Sequence, residues 1–151
     1  MKTEVTLDTK KVSAYAVRFP ESFDIHEWSV GKVLLPHWED GEWQDMPFVF
    51  NDIVSPSSSL GVYRIIECII AYEDIISPIF DIQIEILDDV GTPTERWTIG
   101  VKEVKSINFG NGDYDSTDIH QISMLIKPAY CRLEPVVTTI EMPAIKPKNK
   151  K

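Results

Sequence analysis

Asp81 and Glu85 stand four residues apart in a run whose other positions include Phe80, Ile82, Ile84 and Ile86. Paired carboxylates suit acid–base work on a glycosidic bond, and retaining glycosidases hold theirs ~5–5.5 Å apart. In a strand rising ~3.4 Å per residue these two would lie ~14 Å apart at Cα, so they read as a polar face rather than a catalytic dyad. His26, His37 and His120 are isolated, with no H-x-H or H-x-x-x-H spacing to converge on a metal. There is no G-x-S-x-G, and Gly110-Asn111-Gly112 lacks the Lys and helix of a phosphate loop, so it reads as a turn. Cys68 and Cys131 form no C-x-x-C pair and read as reduced core residues of an intracellularly made protein. Trp28, Trp38 and Trp43 are numerous enough for a sugar-stacking platform, although buried or interfacial aromatics are the commoner use. No catalytic residue, metal ligand or cofactor site is expected, and the chain reads as a non-enzyme.

The elements that position these residues are mostly strands. Ala14 to Phe19 predicts a first strand closed by Pro20, and Trp28, Val30 and Val33–Leu34 a second with a bulge at Gly31. Pro36 to Pro47 reads as a loop or ribbon whose Trp38 and Trp43 must lie on something, and Phe48 to Phe50 as a short strand. The period then changes. Val62, Ile65, Ile66, Ile69 and Ile70 fall at 3–4 spacing after a Ser57-Ser58-Ser59 cap, predicting one helix over Ser59–Tyr72 with these five as its core stripe. Pro78 ensures that the helix has stopped.

Strand alternation returns in Phe80–Ile86, turns at Asp88–Gly91, and resumes through Glu95–Val101 and Lys102–Phe109. After the turn at Gly110–Asp113, Asp118–Lys127 makes a last long strand. The fold class expected is mainly β (α+β), an antiparallel sandwich or part-barrel with one packed helix. Residues 1–133 read as one domain and 134–151 as an extended Pro/Lys-rich tail.

Charge narrows the partners. The chain carries a formal net charge of −9, against a nucleic-acid partner held by phosphate contacts. Residues 142–151 hold four lysines and no acid, so the other 141 residues total −13. The N-terminus has no hydrophobic signal segment, and acids interrupt Ile65–Leu87, so no membrane span is expected.

The segment Asp81 to Glu134 resembles the C-terminal half of contractile phage tail tube proteins, with Gly91, Trp97, Ser106-Ile107, Gly112-Asp113-Tyr114 and Tyr130 at the landmark positions. Phe19 through Leu35, a strand followed by V-L-L-P at Val33 to Pro36, resembles the first sheet of that fold, and the helix between the halves is similar too. The resemblance implies a ring-forming β-barrel subunit, stacking as hexameric rings into a conduit for DNA or effectors. Its implied partners are copies of itself, tail sheath and baseplate proteins, and DNA that passes without specific binding. Its implied location is a virion tail made in the bacterial cytoplasm. Asp81, Gln83 and Glu85 would face the lumen, and Trp38 and Trp43 would sit in an inter-subunit loop. Alternatives are a tube-initiating baseplate subunit, a type VI or extracellular injection-system tube, and a carbohydrate-binding module.

Overall fold

Apolar residues at alternate positions put Phe80, Ile82, Ile84 and Ile86 on the buried side of one strand, with Asp81 exposed and Gln83 half-buried on the other. The same logic builds the rest of the sheet. A computed structural model describes residues 9–71 and 78–136. Within them run β1 (Tyr15–Arg18), a 3-10 turn (Glu21–Phe23), β2 (Val30–Val33), β3 (Trp38–Glu39), β4 (Glu42–Trp43), β5 (Met46–Asn51), α1 (Ser58–Ala71), β6 (Phe80–Leu87), β7 (Pro93–Asn108) and β8 (Gln121–Pro135).

Six strands form one antiparallel sheet in the order β1-β6-β7-β8-β5-β2. The sheet curls until its ends meet. The Tyr15 hydroxyl on β1 donates to the Val30 carbonyl on β2 at 3.0 Å, and the Val17 N–H donates to the Glu27 carbonyl at 3.1 Å. The result is a nearly closed barrel, filled by Phe48, Phe50, Ile82, Ile84, Ile99 and Ile126, all fully buried. Burying each such side chain contributes ~1.5–3 kcal/mol, which is what holds the curled sheet shut.

The helix begins where the serines predict. The Ser57 hydroxyl accepts the Leu60 N–H at 3.2 Å, a conventional N-cap. Asp52 adds a second cap from outside the helix, accepting the Ser59 N–H at 3.1 Å. The core stripe is corrected in part. Val62 and Ile65 are fully buried and Ile69 packs against the core, but Ile66 is only half-buried and Ile70 is 68% exposed. At about 100° per residue, the buried positions Ser58, Gly61, Val62 and Ile65 centre a face that leaves Ile66 at its edge and Ile70 beyond it. Gly61 belongs to that face because the end of the 3-10 turn and the residues after it approach there: a Cβ on Gly61 would stand 2.5 Å from Ile25 Cγ1 and 3.1 Å from the Phe23 carbonyl oxygen. Tyr72, the expected last helical residue, lies outside the described residues, as does the tail from residue 137.

Two other expectations change. The Pro36–Pro47 ribbon is a true hairpin, β3 against β4, turned by Asp40 and Gly41 at positive φ (55° and 79°). As expected, Lys102–Phe109 continues Glu95–Val101, the two lying in one strand, β7, with register shifts near Val101 and Val104. β8 starts at Gln121 and runs eight residues past Lys127 to Pro135, through Pro128, which pairs across a bulge with Val101. The predicted bulge at Gly31 is present between Val30 and Lys32.

Candidate functional site

The sheet face turned away from the core is a polar surface laid out in register. One row across β1, β6, β7 and β8 reads Ala16, Glu85, Arg96, Glu134; the next reads Arg18, Gln83, Thr98, Arg132; a third joins Asp81, Gly100 and Tyr130. Asp81, Gln83 and Glu85 therefore do share one face, as their alternation requires. That face is not a bare acidic one.

Glu85 is the correction. Its side chain is only 5% exposed, and both carboxylate oxygens are taken: Arg18 Nε donates at 3.0 Å and Arg96 Nη2 at 3.0 Å. Arg18 also reaches Glu27 at 2.7 Å, so four charges alternate along one chain of contacts. Burial by itself raises the Glu85 pKa, but the hydrogen bonds from Arg96 and Arg18 outweigh it and hold the carboxyl below its usual range. Asp81 remains exposed and accepts the Tyr130 hydroxyl at 2.9 Å, which pushes the Tyr130 phenol up. Arg132 stacks its guanidinium 5.1 Å from the Tyr130 ring centre.

The tryptophans divide. Trp38 and Trp43 pack edge-to-face across the β3–β4 hairpin, with ring centres 5.0 Å apart, and Trp43 meets Trp97 of β7 at 6.1 Å. What the ribbon lies on is thus Trp97. Trp28 stands apart from that pair, 53% exposed beside a groove between the β1 and β2 ends of the barrel.

His120 has a role that sequence spacing gave no sign of. Its Nδ1 lies 2.8 Å from Asp52 Oδ2 and its Nε2 2.6 Å from the Phe109 carbonyl, so both ring nitrogens face acceptors. Burial raises the Asp52 pKa, but the Ser59 hydroxyl at 2.7 Å, His120 and the Ser59 N–H outweigh it and lower it overall. The hydrogen bond to Asp52, then that to Phe109, raises the His120 pKa. This is a structural tie between the helix cap and the base of the 109–120 loop. His26 accepts the Trp28 N–H through Nδ1 at 3.1 Å, and His37 lies 3.4 Å from Glu39.

Among the described residues, no three His, Cys, Asp or Glu side chains are placed to hold a metal, and no helix is long and apolar enough to cross a membrane. Cys68 and Cys131 are both free thiols, and burial pushes Cys131 up to about 12, so it stays protonated at neutral pH.

Besides the outer edges of β1 and β2, two long strands lack a second strand partner over part of their length among the described residues. β6 accompanies β7 only as far as Val101, leaving one side of Lys102–Asn108 open; β5 accompanies β8 only as far as Ile126, leaving one side of Lys127–Pro135 open. Such edges are normally paired or covered, so they are sites where another chain can add.

No family model and no curated protein matches the sequence. Solved structures do match in fold. A chain of the PVC sheath–tube complex, an extracellular contractile injection system in its extended state, is 13% identical, with TM-score 0.58 over 85% of this chain and 93% of that one. A chain of the anti-feeding prophage tube-terminating cap is 10% identical, with TM-score 0.61 over 89% and 97%. A chain of the PVC sheath/tube terminator is 12% identical, with TM-score 0.56 over 88% and 99%. At such identities the likeness is one of fold, and the fold of this chain is the one found in the tube, cap and terminator assemblies of contractile injection systems.

Proposed function

We infer that this protein is a structural subunit of a contractile tail or injection system, closing head-to-tail with copies of itself into rings that stack as a tube. The observation that carries this reading is the shared fold, which spans 85–89% of the chain in neighbours taken from such assemblies. The open edges support it independently. They lie on opposite sides and at opposite halves of the β7–β8 hairpin, so one copy's β8 edge can meet the next copy's β7 edge only with a stagger. Stagger and strand tilt are what a closed barrel requires, and a head-to-tail contact that closes makes a ring. Six copies is the ring size proposed, with sheath and baseplate proteins as outer partners and DNA or effectors as the cargo.

The polar face carrying Asp81 and Gln83 is the proposed channel wall. Its acids and arginines are largely matched: Glu85 engages Arg18 and Arg96, and Arg18 also engages Glu27. A passing phosphate would therefore find two of the guanidiniums already committed. Trp38 and Trp43 are proposed to meet a neighbouring subunit. The role is non-catalytic. The cap likeness, at TM-score 0.61, supports a second reading in which the subunit ends a tube rather than extends it. Sedimentation over a concentration series separates the two. Open-ended growth beyond one ring supports a tube subunit, a plateau at a single ring supports a cap or initiator, and a constant monomer refutes both.

A further inference from the structure

The β7–β8 hairpin ends in two surfaces of opposite character. At its base, between the β1 and β2 ends of the barrel, lies a groove of about 720 Å3 whose walls include Trp28, Val33, Leu35, Trp97 and Leu133. Trp28, Leu35 and Leu133 are 53%, 42% and 49% exposed, a large apolar surface to leave in water. Lys10, Lys11 and Lys32 also line it, against one acid, Glu95, which Lys10 engages. In a chain of net charge −9 this is a local excess of positive charge.

At the other end, the 109–120 loop presents Tyr114 fully exposed and Ile119 69% exposed among Asp113, Asp115 and Asp118. Local hydrogen bonds shape the loop. Asp113 accepts the Asp115 N–H at 3.0 Å, Asn108 accepts the Gly110 N–H at 2.8 Å, and His120 grips the Phe109 carbonyl. An aromatic ring on a pre-shaped loop sacrifices little freedom on docking. From Glu95 to Phe109 the strand runs 14 residues, on the order of 45 Å, so groove and loop of one chain cannot meet each other.

The geometry points to a heterologous contact in which the Tyr114 loop of one copy seats in the Trp28–Trp97 groove of a second copy displaced along the hairpin. The contact rests on the assembly reading above and names the surfaces through which rings stack. A buried tyrosine against tryptophan is the kind of anchor that dominates interface energy. Asp113 and Asp115 meet Lys11 and Lys32 around it, which fixes the direction of stacking. Because loop and groove are different surfaces, repetition yields an open line of copies rather than a closed pair.

The test uses the full chain and electron micrographs across a concentration series. Tyr114→Ala, Lys32→Glu and Asp115→Lys should each leave rings intact but raise the concentration at which rings stack by about tenfold or more. The combined Lys32→Glu/Asp115→Lys variant restores the charge match and should stack near the wild-type concentration. A variant lacking residues 1–8 should stack as wild type does; if it instead stacks at lower concentration, the chain's own terminus is the occupant and the contact is refuted. Stacking that is unaffected by the single substitutions, a charge swap that restores nothing, or growth that stops at paired rings refutes it as well. In those cases the ring reading stands, whereas a wild type that never forms rings removes both.

Discussion

The ring of Tyr130 lies so close to Gly100 on the neighbouring strand that a Cβ there would stand 2.3 Å from Tyr130 Cε2 and 2.6 Å from Cζ. The ring cannot simply swing aside, because its hydroxyl is bonded to Asp81 on the next strand over. Gly100 is thus the floor on which a cross-strand aromatic rests, and it links β6, β7 and β8 on the polar face.

Gly100→Ala should therefore cost about 1–3 kcal/mol through overpacking. In a Tyr130→Ala background the same change should cost well under about 1 kcal/mol, since the obstructing ring is gone. Chemical denaturation of the four variants gives the coupling. Equal costs in both backgrounds would mean that the ring does not set the requirement for glycine.

Glu85 should behave as a buried carboxylate with two interchangeable partners. Arg18 and Arg96 are 43% and 32% exposed, so water screens each pair and losing either arginine alone should cost only about 1 kcal/mol. Losing both strands a buried charge, and the double variant Arg18→Ala/Arg96→Ala should lose about 3–5 kcal/mol. Strict additivity of the two single losses in urea melts would contradict that picture.

The helix makes a sharper comparison. Ile65 is fully buried and Ile70 is 68% exposed, one turn and a residue further on. Ile65→Asp should cost 3 kcal/mol or more, on the order of burying an unpaired charge, while Ile70→Asp should stay within about 0.5 kcal/mol. Ile66→Asp belongs between them. Similar melting temperatures for the Ile65 and Ile70 variants would place the helix wrongly on its axis.

These residues also mark how far the sequence could be read. Alternation in Phe80–Leu87 and the serine cap at Ser57 are local signals, set by neighbours in the chain, and both appear as expected. The phase of the helix was hidden because Ser58 and Gly61 face inward without being apolar, Gly61 for the close approach of Ile25. Pro128 masked the second half of β8, since a proline is expected to end a ladder rather than pair across a bulge. Glu85 looked solvated because its partners lie 67 and 11 residues away, and nothing local reveals a pairing made only by sheet order. The groove beside Trp28 has the same cause, with walls drawn from β1, β2, β7 and β8.

Acidity gives a further test, at His120. With Asp52 and the Phe109 carbonyl both accepting, only the imidazolium fills both bonds. A raised folded pKa means that this stabilisation is complete below the ordinary histidine value of about 6.5 and is lost as pH rises through the raised folded value. The melting temperature of wild type should exceed that of His120→Gln most at pH 5.5–6 and converge toward it at alkaline pH (roughly one unit or more above the ordinary value). A gap that widens as pH rises would reverse the sign and exclude the imidazolium tie.

Self-assembly is decided by negative-stain electron microscopy of the concentrated, purified protein. Rings with an open centre should appear and lengthen into tubes as concentration rises. A field of uniform 17.2 kDa monomers at every concentration would contradict it.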